Sequence, residues 1–157
     1  MRSLLLGATL AISLVLAGCG REAAPPAAPQ TTTAATTAKA PILVNMTRGR
    51  GDLHAASMAL SLARTALERG HAVTVFLNVD APALAVKDLP ADARFEGFAP
   101  ISEMMRDIVA KGGKVVVCGH CAEVLKIEPA SMLEGVTVAK KGDWLEGLEP
   151  GTVGFSY

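Results

Sequence analysis

The sequence predicts an α/β domain on a mostly parallel sheet of about five strands, with helices on both faces. Two observations carry this. Short, nearly continuous apolar runs alternate with longer segments of helical periodicity. Strands that read apolar throughout, without polar alternation, belong to sheets covered on both sides, as parallel sheets are. Composition agrees: hydrophobic residues make up 50% of the 157 and charged ones 19%, enough to build a core and too apolar for wholesale disorder. This length suits one domain of ordinary size.

The elements follow in order. Pro41 opens the domain, and Ile42–Thr47 is the first strand. Arg48-Gly49-Arg50-Gly51-Asp52 is a turn, with Asp52 placed to cap the next helix. Ala55, Met58, Ala59, Leu62, Ala63, Ala66 and Leu67 recur at helical spacing until Gly70 stops them. Ala72–Leu77 is the second strand, and 78–82 leads away from it. A short helix is expected at 83–86 and a loop over 87–99. Ile101–Lys111 repeats apolar residues as a second long helix, ended by Gly112-Gly113. Lys114–Val117 is the third strand and runs directly into Cys118-Gly119-His120-Cys121, with 122–126 helical. Val136–Ala139, a short helix over Asp143–Leu148, and Thr152–Phe155 complete the domain.

Ahead of the domain, Arg2 precedes an uncharged stretch, 3–18, that is short for a spanning helix, which needs ~20 residues, and suits a signal-peptide core. It ends in Leu16-Ala17-Gly18-Cys19, which resembles the lipobox of bacterial lipoproteins. That resemblance implies cleavage after residue 18 and acylation of Cys19, and acyl chains in the plural make an anchor stable. Gly20 stands where an Asp would imply retention at the inner membrane, so the resemblance favours the outer membrane. The expected location is the periplasmic face of the cell envelope. Residues 19–40 are an Ala/Pro/Thr tether with no large apolar side chain and no expected fold. The domain proper is 41–157.

Some functions are excluded early. Lys+Arg and Asp+Glu both number 15, and the aromatics are one Trp, one Tyr and four Phe. A nucleic-acid binder needs a basic stripe and stacking platforms, so no nucleic-acid partner is expected. The Gly49/Gly51 turn is no dinucleotide fingerprint, because His54 holds the third glycine position, and no Gly-Lys-Ser/Thr makes it a Walker loop. No cofactor is expected.

In a parallel sheet, ligands gather at the carboxyl ends of the strands. The loops 47–52, 78–82 and 118–121 meet there. Cys118-Gly119-His120-Cys121 is the strongest feature. A cysteine opening a helix faces unpaired N–H groups and the positive end of the dipole, both of which favour thiolate, and a protonated His120 adds to this. A thiolate attacks disulfides, accepts sulfane sulfur or binds metal. Two buried structural cysteines are the bland alternative. A structural zinc site needs four ligands, and beyond the cysteines only His54, His71 and His120 exist, so no metal is expected. The same four letters occur in thioredoxin-like proteins, but here Val117 precedes the motif, it comes late, and neither Pro129 nor Pro150 stands where a cis-proline is needed. Arg48, Gly49, Arg50 and Gly51 could cradle an anion with guanidinium and backbone N–H groups, or form a solvated turn. Asp80 could pair with an arginine of that loop.

Ile42-Leu43-Val44-Asn45-Met46-Thr47, the helix end Ala66–His71, Val73–Asp80 and the Gly112–Cys121 segment together resemble the DsrE/DsrF-like family. The likeness covers 41–157 and lies in order and spacing. It implies a three-layer α/β/α sandwich, assembly into homo-oligomers (trimers or hexamers), and carriage of sulfur as a persulfide on a strand-end cysteine. Cys118 fits that position and Cys121 the second cysteine of members with Cys-x-x-Cys. Two departures stand out. Lys126-Ile127 follows the short helix where family members often have Gly, and the export signal separates this chain from cytoplasmic sulfur relays. The expected function is an exported, lipid-anchored sulfur carrier. Cys118 takes sulfur, Cys121 resolves it, His120 assists, Arg48 and Arg50 attract an anion, and the partner is an unidentified sulfur donor or acceptor protein. The alternative is a binding or assembly module, or a thiol-disulfide redox protein, using the same cysteines.

Overall fold

The computed structural model describes residues 39–140, 142–143 and 147–157. Five strands, β1 (Ile42–Met46), β2 (Val73–Leu77), β3 (Lys114–Cys118), β4 (Val136–Ala139) and β5 (Val153–Ser156), form one sheet in the order β4-β3-β2-β1-β5. Every pairing is parallel. The helices are α1 (Leu53–Glu68), α2 (Ile101–Ala110) and α3 (Gly119–Val124), with 3-10 turns at Ala81–Leu84 and Pro129–Ser131.

Asp52 starts α1 as expected: its Oδ1 accepts the Ala55 N–H at 3.0 Å. The buried stripe of α1 is mostly small (Ala56, Ser57, Ala59, Leu60, Ala63 and Ala66), which lets the helix lie close to the sheet. α2 begins after Pro100, whose carbonyl accepts the Met104 N–H at 3.0 Å, and buries Ile101, Met104, Met105 and Ile108. Burying a side chain of that size contributes about 1.5–3 kcal/mol. An ion-pair chain ties the two helices: Asp107 accepts from Arg64 at 2.7 Å and Lys111 at 3.0 Å, and Lys111 reaches Glu68 at 3.2 Å. The Lys111 ammonium, then the Arg64 guanidinium, hold the Asp107 carboxyl below its ordinary range.

The short helix expected at 83–86 is the 3-10 turn Ala81–Leu84. Pro82 explains the earlier start, because its fixed φ and missing N–H suit a first turn. The helix expected over 143–148 falls partly on 144–146, outside the described residues.

The expected five-stranded parallel sheet with helices is present, and the described helices share one side of it. α1, α2 and Ala122 of α3 belong to one core cluster with Val44, Met46, Val73, Val75, Leu77, Val115 and Val117. Those strand residues share one face of the sheet by register. All three described helices therefore cover the same face. The cause is topological: β1 to β4 advance in one direction, and successive right-handed crossovers then fall on one side. Leu43, Asn45, Thr74, Phe76, Val116 and Cys118 point to the other face. The chain returns to the far edge, where β5 pairs with β1 and the Tyr157 carbonyl accepts the Thr47 N–H at 2.9 Å.

Candidate functional site

β3 carries Cys118 to the carboxyl edge as its last residue, with extended backbone (φ −62°, ψ 113°), and Cys118 is also the N-cap of α3. Its Sγ accepts the Cys121 N–H at 3.4 Å. One turn on, the Cys121 Sγ accepts the Val79 N–H at 3.2 Å. Both cysteines are free thiols of intermediate burial. Burial, reinforced by the hydrogen bond to Cys118, pushes the Cys121 thiol above its ordinary value of 9.0, while the Val79 N–H acts in the opposite sense. Gly119, between them, lies so close to β4 that a Cβ there would collide with the Ala139 carbonyl oxygen.

Val79 is unusual. It is β-branched, has φ +53° and is 57% exposed. It occupies the first central position of a turn closed by the Ala81 N–H donating to the Asn78 carbonyl at 3.0 Å. A β-branched residue in that region is strained, by roughly 1–3 kcal/mol. The strain sits where the backbone N–H meets the Cys121 sulfur.

The two cysteines line a depression of about 520 Å³ on the face opposite the three described helices, together with Leu43, Asn45, Phe76, Asn78 and Val79. Asn78 Nδ2 donates to Asn45 Oδ1, and Asn45 Nδ2 to Ser156 Oγ, each at 2.9 Å, joining β1 to β5 and to the end of β2. Asn78 Oδ1 is buried and has no hydrogen-bond partner among the described residues.

Arg48, Gly49, Arg50, Gly51 and Asp80 line a second depression of about 590 Å³, with Asp52, Ala83 and Leu125. It contains neither cysteine. Gly49 is demanded by close approach, since a Cβ would come within 2.6 Å of the Asp80 carbonyl oxygen. Arg50 is held by Asp88 (3.1 Å) and the Ala83 carbonyl (3.0 Å), so the carboxylate pairing with this loop comes from Asp88 rather than Asp80. His120 is exposed and stands outside both linings. Cys19 lies outside the described residues. The structure thus brings Cys118 and Cys121 together and sets the arginine loop apart.

Sequence reasoning missed Leu43, Asn45, Phe76, Asn78 and Val79. A usable signal existed for the strand residues: parallel register places Asn45 beside Phe76 and Phe76 beside Val116, on the face of Cys118. Among the described residues, no three His, Cys, Asp or Glu side chains gather to hold a metal ion. Nor is any helix among them long and apolar enough to cross a membrane. Two free thiols, Cys118 and Cys121, thus share an apolar depression, and burial pushes the Cys121 thiol up.

Comparison with known proteins agrees with the fold. The fold is similar to that of the ychN protein from E. coli (TM-score 0.61, 18% identity, 74% of this chain and 100% of that one). It is also similar to that of a protein of unknown function from Methanobacterium thermoautotrophicum (TM-score 0.55, 12% identity, the same coverages). An uncharacterized protein of Methanocaldococcus jannaschii is 30% identical over 102 residues, which are 65% of this chain but only 37% of that relative. The family profile described as DsrE/DsrF-like matches residues 41–151, most of the chain and nearly all of the folded domain. The chain belongs to the DsrE/DsrF-like family.

Proposed function

We propose that this protein is a lipid-anchored carrier of sulfane sulfur in the cell envelope, loaded on Cys118. The observation that carries the reading is the pair of free thiols in one depression at the carboxyl edge, cross-linked by the Cys121 N–H to Cys118 Sγ hydrogen bond. Family membership supports a sulfur-relay role, because the family resemblance implies a persulfide on a strand-end cysteine. In loading, the Cys118 sulfur attacks the outer sulfur of a persulfide R–S–SH. A new S–S bond forms, the R–S bond to that sulfur breaks, and R–S leaves with the electron pair and takes the Cys118 proton. In discharge without an acceptor, Cys121 attacks the inner sulfur of the Cys118 persulfide, giving a Cys118–Cys121 disulfide and hydrogen sulfide. Burial pushes the Cys121 thiol still further above neutral pH, and a thiol is a far poorer nucleophile than a thiolate. The persulfide beside it is therefore protected, which suits carriage better than turnover.

Cys19 anchors the carrier through its acyl chains, the 19–40 tether spaces the domain from the outer membrane, and the domain works as a trimer or hexamer with an exported donor or acceptor protein.

Intact mass of the full chain, reduced and then exposed to a persulfide donor, tests the reading. A gain of about 32 Da per sulfur, reversed by reductant and absent in Cys118→Ser, is expected. A loss of about 2 Da with no adduct would replace carriage by a thiol-disulfide redox role.

A further inference from the structure

Resting on that sulfur-carrier reading, we infer that the cysteine depression takes its sulfur from an organic persulfide, reacting as R–S–SH, whose R group is uncharged and apolar next to the sulfur, and not from a donor with a fixed negative charge such as thiosulfate.

The walls supply the argument. Among the described residues that line the depression, none carries a charge. Leu43, Phe76 and Val79 present hydrocarbon, and the polar members are amides. Each amide gives one N–H to a neighbour, Asn78 Nδ2 to Asn45 and Asn45 Nδ2 to Ser156. The backbone donors beside the sulfurs are committed, Val79 N–H to Cys121 and Cys121 N–H to Cys118. An anion entering here would lose its water and meet hydrocarbon and amides but no cationic side chain, a costly burial. An uncharged apolar group meets the opposite conditions, since it covers Leu43 and Phe76 without losing a shell of ionic hydration.

The guanidiniums lie elsewhere. Arg48 and Arg50 line the other depression beside Asp52 and Asp80, and Arg50 is tied to Asp88. Their field is largely balanced there by carboxylates, and neither lines the space where a donor's sulfur would reach Cys118. The transfer is the one written above with R uncharged: the Cys118 sulfur bonds to the outer sulfur, and neutral R–SH departs. No oxidant or reductant is consumed.

The test compares two organic donors that differ by one carboxylate, and an inorganic anion. The persulfides of N-acetylcysteine methyl ester (neutral) and N-acetylcysteine (one carboxylate), and thiosulfate, are each offered to the full chain. Loading of Cys118 is followed by intact mass, and each rate is divided by that of the same donor with 2-mercaptoethanol. The ester is expected to load at least about tenfold faster than its carboxylate twin, with thiosulfate slower still. Equal or faster loading by either anion overturns the inference and leaves the carrier reading standing. Failure of all three donors overturns the carrier reading itself. Leu43→Arg, which puts a cation into the wall, should raise the relative rate of the carboxylate donor by about tenfold; no gain in a folded variant counts against the inference. If that variant does not fold, the wild-type ranking decides alone.

Discussion

On one face of the sheet Val44, Met46, Val75, Leu77, Val115 and Val117 are at most 1% exposed. One residue along the same strands, Leu43, Asn45, Thr74 and Val116 are only half-buried, and Cys118 stands among them. The period-two alternation of a strand makes this possible: one backbone serves two environments. The helix-covered face holds the domain together. The other is free of the three described helices and carries Cys118. The comparison teaches where a substitution should cost stability and where it should cost function.

The sharpest way to break the comparison is Cys118→Ser. It should abolish sulfur loading while leaving thermal unfolding nearly unchanged, and a large drop in Tm would mean that Cys118 belongs to the structure after all. Next comes a matched pair of leucines. Leu77→Ala, in the fully buried layer, should cost about 2–5 kcal/mol in chemical denaturation and leave the loading rate of the folded protein alone. Leu43→Ala should cost less than half of that and change the loading rate; similar losses for both would erase the distinction between the faces. The thiols sharpen it further. In Cys118→Ser, alkylation of Cys121 should be slow at neutral pH and rise through a midpoint above 9.0, because burial remains after Cys118 is gone. A midpoint below that value would remove the protection argued for the persulfide. Val79→Gly should stabilise the fold by about 0.5–1 kcal/mol, the relief of a left-handed valine less the greater freedom of glycine when unfolded. It should also loosen the N–H that faces Cys121 and speed its alkylation. The smallest effect is expected far from the site. Asp107→Asn should cost up to about 1 kcal/mol at neutral pH, as half-exposed ion pairs do. The folded-state pKa of Asp107 is lowered, so its contribution is present above the ordinary value of 3.8 and fades as the pH falls through the lower folded value. Wild type and variant should therefore converge in acid, and a gap that persists there would point to packing instead.

Local chemistry was legible in the sequence. Apolar runs marked β1 to β4, Asp52 announced the start of α1, and the strand-to-helix junction placed Cys118 and Cys121 at the carboxyl edge. What escaped were relations between distant segments. The side on which a helix packs depends on the order of strands in the sheet, and no local pattern records that order. Asp88 reaches Arg50 across 38 residues of chain. Placing 47–52 and 118–121 on one rim did not say that two depressions divide that rim. Val79 ran against its own propensity, since nothing in a valine signals a positive φ; the fold imposes it from the turn and the sulfur beside it.

The collision that any Cβ at Gly119 would suffer against the Ala139 carbonyl has a consequence for how this dithiol can change over time. The two residues between paired cysteines are the nearest place where substitution can alter the field and spacing the sulfurs feel. Here the first of them is closed by a neighbouring strand, since backbone atoms of β4 cannot step aside as a flexible side chain can. Only position 120, occupied by an exposed histidine, is open to replacement. Variation in the motif, whether by mutation or by design, has one free letter, and any heavier retuning must come from the walls around it.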